Sequence, residues 1–150
     1  MTQQLNQFKP TSEKGMLDLA VNWNLFDCRI DPASVATLTN LNGAAFKVVG
    51  VAGKSIMVDL VTVTTDADIF GFLPYEVKGN SYVAGDYIRL ASSYAVMKME
   101  ASAAIARFAD LEVVVTGNKV ATQATGTTIG KALDIAAADG DLIRVLIKTV

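Results

Sequence analysis

A chain of 150 residues, 51% apolar and 19% charged with a net charge of −2, has the size of one domain and enough length to bury a core without disulfide or metal staples. Thirteen Lys and Arg, scattered singly, argue against a nucleic-acid binder, which needs clustered cations to meet phosphates. The absence of histidine and the lone Cys28 exclude Ser-His-Asp and Cys-His catalysis, the usual zinc sites and an internal disulfide.

Mean hydropathy is +0.36, oily for a soluble monomer, which leans towards an oligomer or a surface-docked protein. Met1 to Gln7 has neither the cationic start nor the apolar core of a signal peptide. No stretch approaches the ~20 apolar residues that span a bilayer. The expectation is a protein made in the cytoplasm, with no membrane partner.

In chain order, residues 1–20 are polar and amide-rich and are broken at Lys9-Pro10-Thr11-Ser12, where proline lacks an N–H. They read as an extended N-terminal arm preceding a single β domain over 21–150. Such arms order on a neighbour or fray, and Phe8, Met16, Leu17 and Trp23 are the candidate partner-binding residues. Val21, Trp23 and Leu25 alternate with Asn22 and Asn24 as in a half-buried strand. Asp31-Pro32-Ala33-Ser34 then turns the chain.

Gly43-Ala44-Ala45-Phe46-Lys47-Val48 opens the next strand and is the first, loosest copy of a phrase that returns as Gly85-Asp86-Tyr87-Ile88-Arg89-Leu90 and Gly140-Asp141-Leu142-Ile143-Arg144-Val145. Each copy reads as a glycine turn, free to take φ > 0, feeding a strand that alternates apolar and basic residues. A fourth, weaker echo begins at Ala109-Asp110-Leu111. Between the first two copies lie Ile56 to Thr65, a long β-branched run expected to be buried on both faces or paired with another subunit, and Ile69 to Leu73, ended by Pro74. Lys78-Gly79-Asn80-Ser81 reads as a loop.

Residues 91–110 leave two alternatives open. Tyr94, Met97, Ala101, Ile105 and Phe108 carry the spacing of one helix face, whereas Tyr94 to Met99 also reads as a strand followed by a turn. After them come strands at Leu111 to Thr116, Val120 to Thr122, Thr128 to Leu133 and Leu142 to Thr149. The fold expected is all-β and mainly antiparallel, a compact sandwich or barrel of short strands, with one short helix near 100–108 as the alternative.

Motifs that carry chemistry fail on context. Gly53-Lys54-Ser55 resembles the end of a P-loop, but Val48 stands where its first glycine belongs and a β-branched run follows instead of a helix. Tyr94 and Lys98 have the Tyr-x-x-x-Lys spacing of short-chain dehydrogenases without the glycine-rich dinucleotide turn. Asp66 with Asp68, and Asp139 with Asp141, read as turn carboxylates. Tyr82, Tyr87 and Arg89 come nearest to the aromatic-cation face of an OB-type binder, but Glu76 and Asp86 sit among them. No catalytic residue, metal ligand or cofactor is expected, and the chain is read as a non-enzyme.

The C-terminal part supplies a family. Met99-Glu100-Ala101-Ser102-Ala103-Ala104-Ile105-Ala106, then Leu111-Glu112-Val113-Val114-Val115, Gly117-Asn118-Lys119-Val120-Ala121, Ile129-Gly130-Lys131-Ala132-Leu133 and Ala136 to Leu146 resemble the tail of small tailed-phage capsid decoration (cement) proteins. That group has an alanine-rich turn, a glycine hairpin, an Ile-Gly-x-Ala strand and a closing Gly-acid strand. One departure stands out: Phe108-Ala109-Asp110 occupies a place where the family usually has glycine before the acid. The resemblance implies a virion protein on the outer capsid surface, often a homotrimer, that bridges major capsid protein subunits and uses no nucleic acid. Apolar patches and strand-edge pairing are the contacts expected of it. The alternative reading is a small β-rich binding module for a glycan or single-stranded nucleic acid.

Overall fold

A computed structural model describes residues 24–75 and 81–149. The arm with Phe8, Met16, Leu17 and Trp23, and the loop at Lys78 to Asn80, lie outside the described residues. Within them the protein is all-β. The first five strands are β1 (Leu25–Ile30), β2 (Ala45–Ala52), β3 (Ser55–Leu60), β4 (Ile69–Phe72) and β5 (Tyr87–Ala91). The next five are β6 (Val96–Glu100), β7 (Asp110–Val114), β8 (Lys119–Thr122), β9 (Gly130–Ala132) and β10 (Leu142–Ile147).

Strands β1 to β5 form a closed barrel in the order β1-β3-β2-β4-β5. Antiparallel pairing with β5 and parallel pairing with β3 place β1 between them. Alternation turns Cys28, Ile30, Ile88, Leu90 and Val58 into the barrel, where they are buried with Phe46 and Leu73, and turns Asp27, Arg29 and Arg89 away from it. A bulge at Val49 interrupts the β2–β3 ladder between Val48 and Gly50, and beyond it the hairpin carries Val51 out into solvent.

Strands β6 to β10 form a second, antiparallel sheet in the order β6-β10-β9-β7-β8. It rolls until its two edge strands meet. Ala101 forms a bridge with Val120, the Ser102 N–H donates to the Val120 carbonyl at 2.9 Å, and Lys119 Nζ lies 2.8 Å from Glu100 Oε1. Met97, Met99, Leu111, Ile143, Val145 and Ile147 from this sheet share one buried cluster with Phe72 and Ala91 of the barrel. The seam between the two sheets is therefore apolar core.

Two expectations are corrected. No helix forms near 100–108: β6 ends at Glu100, and the alanine-rich residues after it pair with distant backbone instead of with each other. Ala101 exchanges hydrogen bonds with Asp141 and Gly140, Ile105 exchanges them with Ala136, and Phe108 has φ 64°. Helix propensity is worth tenths of a kcal/mol per residue, less than these pairings and the burial of Ala101 and Ile105. The β-branched run from Ile56 ends as a strand at Leu60, and β3 is paired on both sides within the chain. Among the described residues free strand edges are scarce, because the barrel is closed and the edges of the second sheet meet each other. Val21 to Trp23 of the expected first strand lie outside the described residues; within them β1 has Cys28 and Ile30 as its buried positions.

Candidate interaction surface

The repeated glycine phrase is a repeated turn. In Leu41–Ala44, Val83–Asp86 and Ala138–Asp141 the fourth N–H donates to the first carbonyl, and the third residue, Gly43, Gly85 or Gly140, has φ of 76°, 92° and 92°. In the two Gly-Asp copies the carboxylate closes the turn from the other side. Asp86 accepts from the Val83 N–H at 2.8 Å, and Asp141 accepts from Ala138 and Ala137 at 3.0 and 2.7 Å. The acid is there to hold the turn, an Asx-type use of a short carboxylate.

The same hydrogen bond and positive third residue recur in Val115–Asn118, with Gly117 at φ 79°, and in two turns that lack glycine. Ser92–Ala95 has Tyr94 at φ 70° and Ala106–Ala109 has Phe108 at φ 64°. A bulky side chain in the left-handed region costs on the order of 1–2 kcal/mol. Tyr94 and Phe108 are also 58% and 64% exposed, so burial recovers little of that cost. Two aromatic rings are thus held out to solvent at positions that the other turns of this design give to glycine.

Ser92–Ala95 is the link that carries the chain from the barrel (β5) to the second sheet (β6). Ser92 and Thr149 both donate their hydroxyls to the Phe70 carbonyl, at 2.6 and 2.7 Å. Thr149 N–H donates to Ser93 Oγ at 3.0 Å, and Asn24 Nδ2 donates to the Ser93 carbonyl at 2.6 Å. Beside this joint lies a mostly apolar groove of about 320 Å³ lined by Asn24, Phe26, Phe70, Ser92, Ser93 and Tyr94. Phe26 meets Phe70 edge to face, with ring centroids 5.4 Å apart, a favourable aromatic geometry. The groove is large enough for an aromatic ring, and no carboxylate, ammonium or guanidinium lines it.

Several charged side chains are engaged with each other. Lys119 Nζ sits between Asp139 at 2.6 Å and Glu100 at 2.8 Å, and its hydrogen bonds to Asp139 and then Glu100 raise its pKa. Lys131 pairs with Asp110 at 2.7 Å, Arg89 with Asp27 at 2.9 Å and Lys47 with Asp66 at 3.1 Å. Arg144 holds Asp134 through Nη2 at 2.8 Å and Nε at 3.0 Å, and this contact pulls the Asp134 carboxyl down to about 2. Glu112 accepts from the N–H groups of Ala124, Thr125 and Gly126, bonds that lower its pKa with Ala124 foremost.

These pairs account for the chemistry motifs. The carboxylates of Asp66, Asp139 and Asp141 serve a lysine or a turn, and Asp68 gives its carbonyl to the Val48 N–H at 2.9 Å. Gly53-Lys54-Ser55 is the tip of the β2–β3 hairpin, with no helix after it. Tyr94 and Lys98 lie on a turn and a strand, where four residues span roughly 13 Å and not one helical turn. Beside Tyr82, Tyr87 and Arg89 a hollow opens, but Arg89 is held by Asp27, and Arg29 stacks over Tyr87 at 5.5 Å while donating to the Gly85 carbonyl. Cys28 is buried. Among the described residues no cluster of three or more Cys, Asp or Glu could hold a metal ion.

Of the residues singled out as partner-binding, Phe8, Met16, Leu17 and Trp23 lie outside the described residues, although Trp23 immediately precedes the groove residue Asn24. Tyr94 and Phe108 were not among them. The signal was present at Phe108, which stands in a glycine place of the alanine-rich turn.

No protein-family model matches the sequence, and no curated protein matches it. Among solved structures, the N base of the head fiber gp8.5 of bacteriophage phi29 is similar at 16% identity, over 85% of this chain and 96% of that one, with a TM-score of 0.44. That is a coarse likeness to a phage head fiber protein, and no functional conclusion rests on it.

Proposed function

We propose that this chain is a structural protein of a phage head, a decoration protein that binds the outside of the assembled shell and stabilises contacts between major capsid protein subunits. The observation that carries the reading is the C-terminal phrase from Met99 to Leu146: its alanine-rich turn, glycine hairpin and two closing strands fold into one self-closing sheet in which Lys119, Lys131 and Arg144 are each paired with a carboxylate and Phe108 and Ile135 are exposed. Such a surface docks by shape and apolar contact and has no group poised for turnover. A protein that binds the assembled lattice better than free subunits adds its binding free energy to the stability of the shell. Several identical contacts per oligomer make each later one intramolecular and slow release. The N-terminal residues Phe8, Met16, Leu17 and Trp23 are the second set of contacts in this reading, reaching a neighbouring subunit.

The test mixes purified protein with expanded heads and with free coat subunits of the same phage. Co-sedimentation with heads but not with subunits, and a raised disassembly temperature of decorated heads, is the expected result. Deletion of residues 1–15 is expected to weaken decoration. A protein that ignores heads but shifts a single-stranded oligonucleotide or binds on an oligosaccharide array would replace the reading with that of a binding module.

A further inference from the structure

We infer that the outer face of the barrel at β1 and β5 carries a binding site for a neutral saccharide, built from Tyr82, Tyr87, Asp27 and Arg89. The register sets Asp27 opposite Arg89 and Arg29 opposite Tyr87. Since Cys28 and Ile88 point into the barrel core, alternation turns those two cross-strand pairs outward together. Beside them opens a hollow of about 600 Å³ lined by Asp27, Tyr82, Tyr87, Ile88 and Arg89, a size common among small-ligand sites. Both tyrosines are held in place. Tyr87 is 68% exposed, yet the Arg29 guanidinium lies over its ring at 5.5 Å and is itself fixed by donating to the Gly85 carbonyl at 3.0 Å. Tyr82 gives its N–H to the Leu38 carbonyl at 2.8 Å and packs against the barrel core.

The polar edge of the hollow selects the ligand. Asp27 and Arg89 meet through one oxygen and one nitrogen, Oδ1 and Nε, at 2.9 Å, and their side chains stay 77% and 63% exposed. Asp27 Oδ2 and the Arg89 Nη groups are therefore open to a ligand. A carboxylate only accepts hydrogen bonds and a guanidinium only donates them. Side by side they complement a group that does both, and the adjacent hydroxyls of a sugar ring are such a group. The apolar C–H face of the same ring lies flat on an aromatic side chain. Ions fit worse. An anion meets the Asp27 carboxylate while Arg89 and Arg29 are already engaged, and a cation meets the two guanidinium groups. Nucleic acid, which is held through its phosphates, lacks the free cations it needs here. A neutral saccharide leaves both cross-strand pairs intact. The site lies on the barrel, whereas the phrase that carries the head-binding proposal lies in the second sheet, so either can fail without the other.

Nuclear magnetic resonance titration of the full chain, without heads, tests it. The probes are the neutral trisaccharides maltotriose, cellotriose, mannotriose and triacetylchitotriose, with sialyllactose and a single-stranded oligothymidine as anions. At least one of the neutral sugars is expected to shift the backbone amide signals of Tyr87 and Arg89 saturably, and equally at low and high salt because no ion pair is made with the ligand. The two anions are expected to leave those signals in place. Tyr87→Ala, which removes the stacking ring, and Asp27→Ala, which removes the acceptor, are each expected to weaken binding roughly tenfold while retaining the cooperative thermal unfolding of the wild type. Tyr87→Phe keeps the ring and is expected to bind as the wild type does. The inference is overturned if none of these neutral sugars moves the Tyr87 and Arg89 signals, or if the affinity is unchanged in both Tyr87→Ala and Asp27→Ala. It is equally overturned if oligothymidine binds at these residues and the sugars do not.

Discussion

Ser92 gives its hydroxyl to the backbone carbonyl of Phe70 at 2.6 Å, and in doing so ties the link between the two sheets to barrel strand β4. Ser92 is 2% exposed, so the bond is made away from water. Removing one donor is expected to cost about 1 kcal/mol, because the Phe70 carbonyl keeps its second donor, Thr149. Removing both leaves that carbonyl without either hydroxyl. Urea unfolding of Ser92→Ala, Thr149→Val and the double variant should show a loss for the pair that exceeds the sum of the singles by about 1 kcal/mol or more; strict additivity would mean the two bonds are independent.

Two glycines should behave oppositely. A Cβ on Gly71 would lie 2.5 Å from the Ala91 carbonyl oxygen, at the one paired position where β4 meets β5 and the barrel closes. Gly71→Ala is expected to destabilise by roughly 2 kcal/mol or more, by forcing apart a backbone that cannot yield cheaply. Gly50, in the bulged part of β2, has open space around it and no positive φ. Gly50→Ala is expected to be neutral or to stabilise by about 0.4–1 kcal/mol through the unfolded chain. Thermal unfolding of the two variants side by side checks both.

Acid should act on the Asp134–Arg144 fork. Arg144 holds the Asp134 carboxyl at about 2, well below the ordinary aspartate range. A depressed folded-state pKa gives stability that is present above the unfolded value and is lost as pH falls through the folded one. The contribution is therefore full at neutral pH and fades between about pH 4 and pH 2. The pair is partly exposed, and salt will screen some of it. Asp134→Asn is expected to flatten the acid limb of the stability profile over that window while leaving the slope above pH 5 unchanged.

Cys28 should be chemically silent in the folded protein. Burial, with a smaller contribution from the charge of Asp27, pushes its thiol up to about 11, which removes the thiolate that alkylating reagents need. Iodoacetamide at pH 8 is expected to label the native protein far more slowly than the urea-unfolded chain. Equal rates would mean that the barrel opens readily at β1.

Much of the strand layout is legible in the linear text. Most strands among the described residues overlap a run of β-branched or alternating residues with glycine, proline or asparagine nearby, whereas β6 has none of these at either end. The three glycine phrases each form the turn they announce, because φ > 0 is a local demand that glycine meets without steric cost. The helix alternative at 100–108 failed for the complementary reason: Ala101 and Ile105 have helix-compatible spacing, but their backbone partners, Asp141 with Gly140 and Ala136, stand more than thirty residues away and leave no local trace. Tyr94 and Phe108 were visible as residues and invisible as a pair.

By itself, then, the order of residues determined the all-β character and the places where the chain turns, since these depend on side-chain type and on neighbours a few positions apart. Only the tertiary structure decided that five strands close into a barrel, that a second sheet rolls onto it, that charges far apart in sequence such as Lys119 and Glu100 meet, and that Phe26, Phe70 and Tyr94 line one groove. Those outcomes depend on strand register between distant segments, which short-range pattern does not encode and which the burial of a shared core selects.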